Sequence, residues 1–311
     1  MSDTTAPSAT PPGPTRAGFV AVIGAPNAGK STLVNRLTGT KVSIVSPKVQ
    51  TTRARVLGIR IEGPAQIAFM DTPGLFKPRR RLDRAMVAAA WSGAEEADRI
   101  LLLVDAAARD LDDDTQAIVA RLKEMQRTDV ILALNKVDIA DKPKLLALAE
   151  RLNREGIFSD VFMISAETGS GVDDLLAFLV QRMPEGPWLF PEDQVSDMPE
   201  RMLAAEIVRE QLYRQLRQEL PYQATVETES WQDRADGSVR IEQVIYVQRE
   251  SQRSIVLGKG GERIRTIGQT ARQELETILE RRVHLFLFVK VREGWGDDPE
   301  RFRALGLDYD A

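Results

Sequence analysis

One octapeptide constrains this chain more than any other feature: Gly24-Ala25-Pro26-Asn27-Ala28-Gly29-Lys30-Ser31. Its spacing is that of a phosphate-binding loop, Gly, four residues, then Gly-Lys-Ser. The apolar residues 19–23 before it read as a buried strand, and residues 31–37 after it read as a helix. Strand, glycine loop, helix is the context in which the motif works. Gly24 and Gly29 permit backbone angles and close approaches that a side chain would block. The exposed N–H groups and the helix N-terminus then attract phosphate oxygens. Lys30 is placed for the β- and γ-phosphates and the Ser31 hydroxyl for Mg²⁺, with Thr32 beside it. An ordinary glycine turn before a helix is the competing reading, and the flanking strand and helix count against it.

Composition narrows what can surround this loop. The 311 residues contain no cysteine and one histidine, His284. Disulfides, thiolate metal sites and cysteine nucleophiles are excluded, and the absence fits a reducing cytoplasm. A histidine metal cluster or a Ser-His-Asp triad is disfavoured for the same reason. The net charge of −4 excludes a uniformly basic nucleic-acid coat, so local charge has to be read separately. No apolar run reaches the ~20 residues of a membrane-spanning helix. Residues 1–16, rich in Ser, Thr, Ala and Pro, are expected to form a disordered tail.

From residue 17 to 184, strand-like and helix-like patterns alternate. Runs at 56–61 and 66–70 flank a Glu62-Gly63-Pro64 turn, and apolar runs follow at 99–105, 130–134 and 161–164. Near-continuous apolar runs suit parallel strands covered on both faces. Helices are expected at about 82–95, 112–125, 142–153 and 172–183. The fold class is therefore α/β, with a doubly wound, mostly parallel sheet. Residues 185–199 carry Pro187, Pro191 and Pro199 among acidic and polar residues and read as a linker. Residues 200–295 then change order to helix, strand, strand, helix, helix, strand, an α+β unit, and residues 296–311 read as a C-terminal tail.

Four further pieces stand where a nucleotide-hydrolysing site would need them. Asp71-Thr72-Pro73-Gly74 ends a strand. Asp71 can hold Mg²⁺ through water, and the Gly74 N–H can touch a γ-phosphate whose loss would release the segment. One of Thr51 and Thr52, in Gln50-Thr51-Thr52-Arg53, can complete the Mg²⁺ shell, and Thr52 is favoured. Asn135-Lys136-Val137-Asp138 follows another strand. The Asp138 carboxylate can accept from N1–H and the 2-amino group of guanine, donors adenine lacks there, and an unpaired polar site rejects the wrong base. Lys136 is expected to pack across the base and brace the phosphate loop. Ser165-Ala166 is expected to give backbone N–H to guanine O6.

This set resembles the small GTPase superfamily, whose five motifs appear here in the usual order. One departure is Leu75, at the position after Gly74 where Ras-like enzymes carry the glutamine that orients water. Asn27 stands where the potassium-stimulated GTPases that the chain resembles carry an asparagine. The resemblance implies that Asn27 helps a K⁺ ion take the place of an arginine finger, and slow intrinsic turnover is expected. Catalysis is thus assigned to Asn27, Lys30, Thr52 and Gly74, and metal binding to Ser31, Thr52 and Asp71.

In the second unit, Gly258-Lys259-Gly260-Gly261 between two helices resembles the clamp of a KH domain. The strand order is similar to the type II arrangement. Residues 249–292 hold ten Lys and Arg against five Asp and Glu, so basic charge gathers here. Arg263 and Arg265 join the loop as candidate RNA contacts, and Ile255, Val256, Leu257, Ile264 and Ile267 are read as a groove for splayed bases. The competing reading is a glycine turn between core helices. GTPase motifs, linker and KH unit together resemble the Era family of ribosome-assembly GTPases, over about residues 17–305. The resemblance implies GTP, GDP and Mg²⁺ as ligands. It also implies small-subunit ribosomal RNA near its 3′ end, within a pre-30S-type particle, as partner. A cytoplasmic monomer with peripheral association to the inner membrane completes the expectation. A GTPase serving an RNA-modification complex is the alternative, weakened because the second unit shows no nucleophile or metal cluster. A pure RNA-binding protein with a degenerate nucleotide fold is disfavoured by intact Lys30, Ser31, Asp71 and Asp138.

Overall fold

The computed structural model describes residues 14–48, 51–216 and 220–311. Most of the expected N-terminal tail, residues 1–13, and Gln50 of the Gln-Thr-Thr-Arg stretch lie outside the described residues. The first unit holds six strands: β1 (Arg16–Ile23), β2 (Val56–Glu62), β3 (Ala65–Asp71), β4 (Arg99–Asp105), β5 (Val130–Asn135) and β6 (Phe158–Met163). They form one sheet in the order β2-β3-β1-β4-β5-β6, with β2 antiparallel to β3 and the other pairs parallel.

Alternate residues of one strand enter opposite cores, as a strand's period of two requires. Leu101, Leu103, Ile131 and Ala133 face one core. It is closed by α1 (Lys30–Thr38) and α5 (Val172–Arg182). Ile100, Leu102, Val104, Leu132 and Leu134 face the other, closed by α2 (Arg81–Glu96), α3 (Asp113–Glu124) and α4 (Lys142–Asn153). Helix ends follow local chemistry. Asp112 and Asp141 accept backbone N–H at the starts of α3 and α4, and Gly39, at φ 73°, ends α1. All four nucleotide motifs therefore open from the C-terminal edge of the parallel strands, where such sheets bind ligands.

The second unit is α6 (Glu200–Gln215), β7 (Ala224–Asp233), β8 (Val239–Val247), α7 (Glu250–Leu257), α8 (Glu262–Ile278) and β9 (Val283–Val291). Its sheet runs β7-β8-β9, antiparallel then parallel, the expected type II order.

Two segments differ from expectation. Residues 185–199 are not a free tether. Gln66 Oε1 accepts from the N–H groups of Leu189 and Phe190, Ile59 N–H donates to Val195 O, and Leu57 N–H donates to Asp197 Oδ1. The segment thus satisfies the open edge of β2. Residues 296–311 are not a bare tail. A last helix, α9 (Pro299–Ala304), seats Phe302 and Leu307 against Ala85 and Met86 of α2.

Candidate nucleotide and nucleic-acid sites

Backbone sterics shape the phosphate loop. Gly24 has φ 154°, and a Cβ there would lie 2.4 Å from the Leu103 carbonyl oxygen. Gly29 has φ 101°, and its Cβ would lie 2.3 Å from Asn135 Nδ2. Between them Asn27 is exposed with φ 62°, the left-handed region that asparagine tolerates best among ordinary residues. Pro26, Asn27, Gly29, Lys30, Ser31 and Thr32 line an open cleft with Thr52, Thr72 and Gly74.

Lys30 is buried in this loop, and its ammonium donates to the carbonyls of Gly24 and Ala25 at 3.0 Å each. Burial lowers its pKa to about 8, with nearby Asp71 acting the other way. Asp71 is fully buried, and burial pushes its carboxyl upward. Ser31 Oγ and Thr52 Oγ1 lie 2.8 and 3.0 Å from Asp71 Oδ2 and 2.9 Å from each other. Asp71 Oδ1 has no hydrogen-bond partner among the described residues. Two hydroxyls and a buried carboxylate with one unpaired oxygen are the hard oxygen donors that suit Mg²⁺. The neighbouring Thr51 points away, its hydroxyl 2.8 Å from the Lys48 carbonyl.

The segment after Asp71 is locked to the loop. Thr72 donates its hydroxyl proton to Val22 O at 2.8 Å, so this side chain pins the strand end. Pro73 is buried beside it. A Cβ on Gly74 would lie 3.1 Å from Pro26 Cα, and the Leu75 N–H donates to Gly24 O at 3.0 Å. Leu75 itself is 2% exposed and packs in the core.

The Asn135–Asp138 segment and the loop beside it depart from expectation in two ways. Asn135, not Lys136, braces the phosphate loop: its Nδ2 donates to Ala28 O at 2.7 Å while its Oδ1 accepts from Ala166 N–H at 2.8 Å. Lys136 instead pairs with Asp105 at 2.5 Å. A short amide at a strand end reaches two loops that a flexible ammonium cannot clamp together. The second departure concerns the N–H groups of Ser165 and Ala166, expected to be open for guanine O6. Ser165 N–H donates to Ser170 O at 2.9 Å, and Ala166 N–H is taken by Asn135. The next N–H, of Glu167, makes no bond among the described residues. Asp138 is exposed at the mouth of this loop pair. Arg36 of α1, outside every motif, donates to the Ala166 and Glu167 carbonyls, a contact no sequence pattern signals.

In the second unit Gly258, Gly260 and Gly261 have φ of 73°, 59° and 76°. Open space surrounds Gly260 and Gly261, so backbone conformation, not room, demands glycine there. Lys259 and Arg265 are exposed. Arg263 is partly committed, its Nη1 donating to Ile255 O at 2.6 Å. The groove is narrower than expected: Val256 and Ile267 are fully buried in the core, whereas Ile255 is 48% exposed. Leu257 and Ile264 are half-buried beside it.

The two units meet through residues 41–48 and 51–53. Ile44 packs into the second unit's core, and Lys41 pairs with Glu210 and Glu274. Arg53 is buried, donating to the Ala224 carbonyl at 3.1 Å and to the Tyr213 hydroxyl at 3.2 Å. Arg209 donates to the carbonyl of Thr51, next to Thr52.

Known proteins carry the same arrangement. A family model described as a 50S ribosome-binding GTPase matches residues 19–136, and one described as a KH domain matches residues 219–296. The GTPase Era of Rhizobium meliloti strain 1021 is 62% identical over 309 residues, 99% of this chain and 98% of that protein. The GTPase Era of Brucella suis biovar 1 is 61% identical over 95% of this chain and 94% of its own length. Two solved structures superpose with a TM-score of 0.88 at 40% identity, each over 94% of this chain and 99% of its own. One is a single-residue variant of Aquifex aeolicus Era bound to GDP·AlF4⁻. The other is Era in complex with MgGDPNP and nucleotides 1506–1542 of 16S ribosomal RNA.

Proposed function

The chain belongs to the Era family of GTPases, and on that premise we propose that it is a GTP/GDP switch whose second unit holds small-subunit ribosomal RNA near its 3′ end during assembly of that subunit. One observation carries the nucleotide half: Asn135 ties the phosphate loop to the 165–167 loop, so phosphate and base recognition share one rigid frame. Lys30 would give up its bonds to the Gly24 and Ala25 carbonyls for phosphate oxygens. Ser31, Thr52 and Asp71 would hold Mg²⁺, which when bound neutralises charge on the phosphates. The Gly74 N–H would face the γ-phosphate, with Pro26 and Gly24 fixing its place. Asp138 would accept from the guanine N1–H and 2-amino group, and the free Glu167 N–H would meet O6.

Leu75 lies in the core and offers nothing to a water molecule. Slow basal hydrolysis follows, with Asn27, exposed in the cleft, helping a K⁺ ion supply positive charge. For RNA, support comes from the exposed Gly-Lys-Gly-Gly loop, the exposed Ile255 and Arg265, and the relative solved with 16S ribosomal RNA. The same reading carries a cytoplasmic monomer that associates peripherally with the inner membrane, which sedimentation and vesicle flotation would check.

The direct test is base choice. Asp138→Asn replaces the acceptor by an amide that can donate to a 2-oxo group. GTP affinity is expected to fall and xanthosine triphosphate affinity to rise; unchanged GTP binding refutes the guanine assignment. Hydrolysis is expected to be faster in K⁺ than in Na⁺ at equal ionic strength, and Asn27→Ala to erase the difference. Equal rates in both salts for the intact protein would remove K⁺ from the mechanism.

A further inference from the structure

We infer that Arg36 is a positioning residue for guanine recognition: it orients the peptide unit whose N–H reads O6. The inference rests on reading residues 165–167 as the guanine-facing loop. Arg36 leaves the exposed side of α1 and reaches across to that loop. Its Nε donates to the Ala166 carbonyl at 2.5 Å, and its Nη2 donates to the Glu167 carbonyl. Gly169, at φ 93°, makes the seat, since a Cβ there would lie 2.9 Å from Arg36 Nη1.

The consequence follows from peptide geometry. The Ala166 carbonyl and the Glu167 N–H belong to one planar trans unit, so they point in opposite directions. Holding the carbonyl on the α1 side turns the N–H to the other side. Asn135 Oδ1 already takes the Ala166 N–H, and the Glu167 N–H makes no hydrogen bond among the described residues, so it is the donor left for O6. A cationic donor on the carbonyl also polarises the peptide and strengthens its N–H as a donor. Two bonds from one guanidinium to successive carbonyls leave the unit little freedom to rotate, a geometry that a single ammonium cannot reproduce. α1 begins at the phosphate loop, so Arg36 adds a second tie between the phosphate and base halves of the site, parallel to that of Asn135.

The test compares three nucleotides on the full-length protein and on Arg36→Ala. GTP and inosine triphosphate both carry O6, whereas 2-aminopurine riboside triphosphate lacks it. The intact chain is expected to prefer GTP over the 2-aminopurine analogue. Arg36→Ala should weaken GTP and inosine triphosphate equally, by roughly five- to tenfold, as for loss of a charged hydrogen bond. The analogue should weaken by less than about twofold, because it has no O6 to miss the donor. Arg36→Lys should restore part of the GTP affinity and none of the analogue's. An equal loss for all three nucleotides would show that Arg36 merely supports the fold near the phosphate loop, and an unchanged GTP affinity would show that it does nothing; either result overturns the inference. If the intact chain fails to distinguish GTP from the 2-aminopurine analogue, the guanine reading of the loop falls instead, and this inference with it.

Discussion

Lys30 stores a cost in the nucleotide-free protein that a phosphate would relieve. Buried among carbonyls, its ammonium has a pKa lowered to about 8. Unfolded, it would keep its proton up to the usual 10.5. Between those values the unfolded chain binds more protons, so nucleotide-free stability should rise as pH climbs from about 8 towards 10.5. Below about 8 both states are protonated and the full cost remains. Lys30→Met should therefore stabilise the nucleotide-free protein at pH 7, by about 1–2 kcal/mol once the two lost carbonyl bonds are counted. It should flatten the alkaline slope and weaken GDP binding at least about tenfold. Thermal melts across pH, paired with fluorescent-GDP titration, check this; a Met variant less stable than the intact chain at pH 7 refutes it. Residue chemistry of this kind was legible in the sequence where a motif fixes it: Lys30, Ser31, Asp71 and Asn135 stand where their spacing placed them. Arg36, the Asp105–Lys136 pair and the Glu167 N–H were not legible. They depend on which loops the sheet brings side by side, and on which backbone donors those loops have already used.

At the scale of elements, strands and helices with a clear period were readable to within a few residues, because each has a buried face. The segments without a period misled. Residues 185–199 look like a tether by their prolines, yet Leu57 and Ile59 hold them along the β2 edge and Gln66 of β3 holds Leu189 and Phe190. An open strand edge recruits whatever chain lies near it, and composition does not encode which chain that is. α9 was equally hidden. Six residues bear too few apolar positions to announce a face, yet Phe302 is 1% exposed against Met86, with Tyr309 edge-on at 5.0 Å and Arg81 over the Tyr309 ring at 4.3 Å. α2 follows the Asp71–Gly74 segment after residues 75–80, so this contact ties the C-terminus to the helix next after that segment. Phe302→Ala should cost about 3 kcal/mol by leaving a cavity at the α2 surface. Thermal unfolding reads the loss. A proteolytic time course should show faster cleavage near residue 295, and an unchanged midpoint would mean that α9 is not docked in solution.

For the whole molecule, the seam between the units decides how far their functions separate. Residues 41–48 and 51–53, which include Thr52, run along α6 and the start of β7, with Ile44 in the second core and Arg53 buried against Tyr213. Lys41 meets α8 at Glu274, near the end of the helix away from the glycine loop. From Glu262 to Glu274 the helix advances about 18 Å. The Gly-Lys-Gly-Gly loop thus lies at the far end of α8 from the seam, and a change there need not disturb the nucleotide site. Lys259→Asp with Gly260→Asp would put two carboxylates where RNA phosphates must come close. Gly260 stands at φ 59°, so Asp there costs about 1 kcal/mol of backbone strain, less than most residues would, but the open space around it means no clash. Lys259 is exposed, so the core keeps its packing. Affinity for an RNA carrying the 3′ end of small-subunit ribosomal RNA should fall by about a hundredfold or more at low salt, and its salt dependence should flatten, because fewer cations meet phosphate. GTP affinity, basal hydrolysis and the melting midpoint should stay near those of the intact chain. RNA binding that survives in the folded double variant would reduce the loop to a turn between helices. Loss of GTP binding in a variant that remains folded would mean that α8 transmits strain to the seam, so that Lys41, Ile44 and Arg53 report on RNA as well as on nucleotide.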